Sequence, residues 1–299
     1  MLAAALTTIF FSISVLCGAR SAQVVGPQAA NLGRITLATL LLGIWAHGYG
    51  AGLSGPSLSW FFLSGVIGFG LGDMALFGAL PRIGPRLAIL LTQCLAAPIA
   101  AFAEWIWLGT TLRVVDLSCA AVILVGVAVA MAPDGGLPIE RRVFWIGVLF
   151  GVGSALGQAL GAVVSRKAND LASAAQFEID GGTAAYQRAL GGLILTWLAA
   201  AAFSLRGPAA DRPVVNWRLG FPLIAANALA GPTIGVGCYQ WALKTTPSGL
   251  VLPIVATSPL ITMLLAWWFQ GIRPTRRVAL GSALAVAGAV ALARAQAGK

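Results

Sequence analysis

The chain reads as an all-α polytopic membrane protein of about ten transmembrane helices, arranged as two inverted five-helix repeats. Three observations carry this. The 299 residues are 59% hydrophobic and only 9% charged, whereas a soluble domain carries about 25% charged residues. Uncharged runs close to the ~20 residues that a helix needs to cross hydrocarbon recur along the whole chain. One stretch, residues 85–132, returns in similar form at 247–295, the mark of an internal repeat.

Taken in order, the expected spans are 2–20, 28–48, 58–79, 85–108, 115–132, 143–166, 183–205, 217–243, 247–270 and 276–295. Span one has no basic residues before its apolar run, and Arg20 follows it, so it reads as a retained helix rather than a removed signal peptide. The uncharged run 35–72 is too long for one helix; the turn-like stretch 48–59 divides it into spans two and three. Span four is apolar, contains Pro98 and ends Glu104-Trp105-Ile106-Trp107-Leu108-Gly109. A short polar link leads into span five, a Gly/Ala/Val helix. Span six carries Gly153, Gly157 and Gly161 at four-residue spacing, span three Gly68 and Gly72, span eight Gly231 and Gly235, and span ten Gly281 and Ala285. Small residues so spaced let helix backbones approach closely. Span seven begins close to Arg188. Span nine contains Pro253 and Pro259, ends in Trp267-Trp268, and is followed by a basic link and a second Gly/Ala/Val helix.

The two copies align. Placing Pro98 on Pro259 brings Trp105 within two residues of Trp267 and Trp268, and Gly126 within one of Gly288. Gly68, Gly72 and Ala79-Leu80 match Gly231, Gly235 and Ala242-Leu243 at one constant offset, and Arg34 in span two has its counterpart in Arg188. The halves are expected at residues 1–136 and 137–299. Five spans per half insert the second half upside down relative to the first, an arrangement typical of secondary transporters, with the substrate site between the halves.

Several classes are excluded. The net charge of +10 comes from Lys and Arg scattered over short loops, with no basic stripe or aromatic platform for nucleic acid. The four cysteines lie singly in apolar helices and read as small apolar packers. A single histidine, His47, cannot build a His-rich metal site, and no phosphate-binding GxxxxGK[ST] motif is present. No catalytic set, metal site or cofactor is expected; an intramembrane enzyme would need converging nucleophile, base or metal groups.

Four charged residues lie within the spans: Arg34, Asp73, Glu104 and Arg188. Each costs roughly 2.5–3.5 kcal/mol at the membrane centre, so each is a functional candidate. Their depths allow two acid–base pairs, Arg34–Asp73 toward one face and Arg188–Glu104 toward the other. These groups are expected to mark gates or the site itself, against the plainer reading that each tethers a helix end. Pro98, Pro253 and Pro259 free backbone carbonyls and make spans four and nine the expected hinge-bearing helices. Gln93 and Glu104 share a face of span four with Ala97 and Ala100; Ser154 and Gln158 share one of span six with Gly161 and Ser165. Such stripes suit a cavity wall, and equally an interhelical hydrogen bond. Phe77, one turn from Asp73, together with Tyr239 and Trp241 in span eight, could line an apolar pocket or belong to interfacial belts. Thr257, between Pro253 and Pro259, completes the candidate substrate-binding set.

The ten-span inverted pattern, Arg34 and Arg188, the Ala79-Leu80 and Ala242-Leu243 pairs, Pro98 and Pro259, and Gly126 and Gly288 resemble the drug/metabolite transporter superfamily in its ten-helix EamA-type branch. Within it the chain looks most like bacterial inner-membrane amino-acid exporters of the YddG type. The resemblance implies a multi-pass inner-membrane protein, working as a monomer among lipid, that exports aromatic and other neutral amino acids by alternating access. The alternative is an exporter of hydrophobic cations or drugs, which should need an unpaired membrane carboxylate such as Asp73 or Glu104. The chain departs from the branch where a Leu-Gly-Glu often closes spans four and nine: here stand Leu108-Gly109-Thr110 and Gln270-Gly271-Ile272. Orientation divides two expectations. Eleven arginines on the loops after spans one, three, five, seven and nine, against six Lys and Arg on the other face, put the arginine-rich face in the cytoplasm. The resemblance implies cytoplasmic termini, on the opposite face.

Overall fold

The structure, a computed structural model, describes residues 1–132, 140–204, 216–270 and 275–297. These residues form helices joined by short links, with no strand among them. Nine stretches of the described residues are long and apolar enough to cross a membrane. A tenth helix, Gly181–Ser204, has 24 residues but carries Gln187 and Arg188 in its second turn. With it the ten expected spans are all helical.

Span one is Leu2–Val25 and span two Pro27–Gly48. One residue joins them: Gly26 turns the chain at φ 85°, a conformation open to glycine and closed to most others, and Pro27 then sits where a helix tolerates it best. Spans three (Leu58–Gly84) and four (Leu87–Leu108) meet in the same way at Gly84, φ 75°. Span five is Val114–Met131, span six Arg141–Ala174, span eight Trp217–Thr245 and span ten Arg276–Ala297. Span six has 34 residues, about 51 Å at 1.5 Å per residue, so its last turns stand clear of the hydrocarbon. Asp180 starts span seven by accepting the N–H groups of Gly182 (2.8 Å) and Thr183 (3.0 Å), and Trp45 Nε1 (2.9 Å) of span two joins it. Burial alone would push its pKa up, but those bonds and the Thr183 hydroxyl outweigh burial and hold the carboxyl below its usual range.

Spans three and eight are not regular. Each contains a seven-residue π-helical segment, Val66–Gly72 and Leu229–Gly235. The two begin and end at the same offset that aligns Gly68 with Gly231. Such widened turns are rare and often mark functional sites. Two residues before each stands a buried polar residue: Ser64, which donates to Gly161 O of span six (2.6 Å), and Asn227, which accepts from Ser14 of span one (2.6 Å).

Packing follows the same two-fold scheme. Span two packs on span seven and span five on span ten; span three packs on span six while span eight packs on span one. The four-residue glycine spacing is what permits this. A Cβ on Gly157 would come within 2.5 Å of Gly72 Cα, and one on Gly161 within 3.1 Å of Gly68 Cα, so spans three and six cross backbone to backbone. A Cβ on Gly126 would lie 2.5 Å from Ala285 N, fixing the crossing of spans five and ten.

The prolines behave unequally. Span nine is broken into Ser248–Val255 and Ser258–Gln270, with Pro259 in the first turn of the second piece and Pro253 buried in the first. Its loosened carbonyls are met from span one: Thr8 Oγ1 donates to Ile254 O (3.2 Å) and Ser12 Oγ to Ser258 O (2.8 Å), while Thr257 Oγ1 also reaches Ile254 O (2.7 Å). Pro98, expected as a hinge, leaves span four unbroken from Leu87 to Leu108 and is exposed on its surface.

Candidate functional site

Spans three, six, seven and eight converge on Arg188, which is 5% exposed. It lies seven residues into span seven, about 10 Å along the axis. Its guanidinium rests over the bare backbone at Gly68, where a Cβ would strike Nη2. It lies 5.0 Å from the centroid of Phe69 in the first π-segment and 5.6 Å from that of Tyr239 in span eight.

One hydroxyl organises the polar atoms. Ser64 spends its hydrogen on Gly161 O, so in the 2.8 Å contact between Ser64 and Ser165 the latter donates. With its single hydrogen spent, Ser165 Oγ can only accept. It takes Arg188 Nη1 at 3.3 Å and Gln240 Nε2 at 3.1 Å. This fixes the Gln240 amide with its nitrogen toward Ser165 and its carbonyl oxygen turned away. Three buried polar atoms of this cluster have no hydrogen-bond partner among the described residues: Arg188 Nε, Tyr239 OH and Gln240 Oε1.

The charges do not pair as depth alone suggested. Arg34 Nη2 lies 3.2 Å from Asp73 Oδ2, with side chains 24% and 30% exposed, and Arg34 Nε holds Asn31 Oδ1 at 2.9 Å. Glu104 does not meet Arg188. It is 2% exposed and takes Arg166 Nε at 3.2 Å, with Ser248 N–H at 2.7 Å and the Ser248 hydroxyl. Arg166 Nη1 in turn reaches Leu243 O (2.8 Å) and Lys244 O (3.3 Å). The Glu104–Arg166 pair thus completes the C-terminus of span eight and the N-terminus of span nine together, each with the charge that the helix dipole favours. Arg188 is left without a carboxylate in ion-pair contact among the described residues; Asp73, whose charge reaches it, is held by Arg34. The repeat explains why. At the offset that aligns the glycines, Asp73 corresponds to Val236, so the second half has an arginine and no acid to match it.

The remaining expected residues scatter. Gln158 Nε2 donates to Gln93 Oε1 at 2.8 Å, joining spans six and four across the two stripes. Ser154 is buried beside them. Thr257 serves the break in span nine. Trp241, two residues from Tyr239, faces the other way and is 49% exposed, in a belt with Trp45, Trp105 and Trp107 at one face; it is no part of this cluster. Trp145, Trp217 and Trp268 form the belt at the other face, as interfacial aromatics do. The side chain of Phe77 lies outside the described residues. Not foreseen were Ser64, Phe69, Ser165 as the shared acceptor, Arg166, Gln240, and the Thr8–Ser12 ladder, although its four-residue spacing opposite two prolines was a usable signal.

The Arg34–Asp73 contact is symmetric in what it asks of each position, since neither group caps a helix end. Reversing either charge alone is expected to impair transport, and the double variant Arg34→Asp, Asp73→Arg to restore much of it. Equal damage in the single and double variants would dismiss the pairing as functionally relevant.

A bundle of interrupted helices closed around a buried polar cluster built by spans three, six, seven and eight is the architecture of a membrane transporter. The chain belongs to the EamA-like transporter family, whose family model matches residues 1–132 and again 145–294. A crystal structure of another protein, 19% identical, shares the fold with a TM-score of 0.78 over 97% of this chain and 96% of that one. The comparison with curated proteins gave no match.

Proposed function

We propose that the chain exports amino acids, aromatic and other neutral ones, across a bacterial inner membrane by alternating access between two inverted halves, residues 1–136 and 137–299, and that it works as a monomer of the YddG type. The observation that carries this reading is the charge balance of the interior. Both deep carboxylates are engaged by arginines, and among the described residues the buried group left without an opposite charge in contact is Arg188. Desolvated cations of this kind favour a carboxylate-bearing solute. A hydrophobic cation arriving 5 Å from Arg188 would meet about 3 kcal/mol of repulsion at an effective dielectric of 20, while Asp73 and Glu104, the deep carboxylates among the described residues, are already held by Arg34 and Arg166. The aromatic rings of Phe69 and Tyr239 flank the charge, and apolar contacts discriminate by only about 1–3 kcal/mol per methylene, which suits broad selectivity.

The test is uptake and exchange of labelled amino acids in liposomes holding the purified protein, with and without a pH gradient. Saturable movement competed by other neutral amino acids is expected. Transport of lipophilic cations with no movement of any amino acid would replace this reading with the drug-exporter one and leave the fold untouched.

A further inference from the structure

Resting on that reading, we infer that the three unpartnered atoms around Ser165 form a reader for the α-amino-acid zwitterion: Arg188 Nε and Tyr239 OH donate to the carboxylate, and Gln240 Oε1 accepts from the ammonium. Three features of the cluster support this. First, the unspent capacity has the right composition, two donors and one acceptor, in groups buried nearly completely. Buried polar atoms are nearly always partnered, so three orphans in one cluster indicate a missing polar solute. Second, the groups are held in common. Arg188 and Gln240 share the Ser165 oxygen, and the Tyr239 ring lies 5.6 Å from the Arg188 guanidinium carbon. Third, their orientations are enforced. The hydroxyl chain from Gly161 O through Ser64 to Ser165 leaves Gln240 only one amide setting, the one that turns its carbonyl oxygen away from Ser165. Phe11 packs on Tyr239 with ring centroids 6.3 Å apart, setting the phenol from span one. The first half therefore supplies the packing and the second half supplies every group that touches the zwitterion.

The experiment uses the full chain in liposomes and three probes with one side chain: phenylalanine, its decarboxylated amine phenethylamine, and its deaminated acid 3-phenylpropanoate, each as substrate and as competitor. Wild type is expected to prefer phenylalanine to either truncated probe by about tenfold or more, the effect of leaving buried polar partners unpaired. Tyr239→Phe is expected to lower phenylalanine and the deaminated acid by the same factor. Gln240→Met should lower phenylalanine alone and so erase the preference over the deaminated acid. Gln240→Glu, closer in shape, should occupy Arg188 itself, suppress both carboxylates and admit the amine. Wild type that moves the amine and not phenylalanine would end the amino-acid reading. Phenylalanine transport with the preference unchanged in both Gln240 variants would leave that reading standing and overturn the zwitterion reader.

Discussion

Replacing Arg188 with methionine is expected to cut amino-acid transport about 10- to 100-fold, the worth of charge-assisted hydrogen bonds to a bound carboxylate, while leaving the unfolding temperature of the purified protein unchanged or raised. The two halves of this prediction come from one fact. Arg188 is 5% exposed and has no carboxylate in contact among the described residues, so its charge is a cost to the resting protein. Replacing buried charged groups by apolar ones of similar volume is often neutral or stabilising by about 1–4 kcal/mol. Methionine fills the stem's volume and adapts to irregular space. Arg188→Lys keeps the charge and loses the planar fork, so intermediate transport is expected. Transport assays paired with thermal unfolding check this. Loss of transport together with a clear loss of stability would mark Arg188 as structural, and full transport in the methionine variant would remove it from the site.

The second large effect is expected at Glu104. Its replacement by alanine strands Arg166, frees the Ser248 N–H, and uncouples the ends of spans eight and nine. The expected destabilisation is about 3 kcal/mol, the low end for breaking a buried pair, because Asp170 Oδ1 already lies 4.0 Å from Arg166 and can take part of the charge. Sealing should fail too. Leu250, two residues after Ser248, is 1% exposed, and a cysteine placed there, with the four native cysteines replaced by serine, should label faster with a polar thiol reagent in the Glu104→Ala background. Unchanged labelling would show that the contact braces the helices without closing the face. Charge reversal separates this pair from Arg34–Asp73. Glu104→Arg with Arg166→Glu sets a cation at a helix N-terminus and an anion at a C-terminus, both against the dipole, so no rescue is expected here.

The spans were legible because hydropathy and length are properties of consecutive residues, and burial in lipid leaves few other ways to satisfy a backbone. The glycine crossings were legible for the same reason: four-residue spacing defines a helix face without reference to its partner. Even the key asymmetry was written in the chain, since Val236 stands at the repeat position of Asp73. Which charge meets which was not. Arg34 finds Asp73 as its depth suggested, but Glu104, whose depth matched Arg188 equally well, is claimed by Arg166 and the end of span nine. Depth gives one coordinate of a side chain in the membrane, while pairing also depends on how each helix is rotated and where the halves cross. Trp241 shows the same limit: two residues from Tyr239, it turns outward, and an aromatic cluster in sequence divides between belt and core. The break in span nine is met from a distant helix, where Thr8 and Ser12 donate to its carbonyls. Composition and periodicity therefore determined the spans and the set of buried charges. Only the tertiary structure decided which of those charges remained free, because that depends on contacts between helices more than sixty residues apart in the chain, such as Glu104 with Arg166.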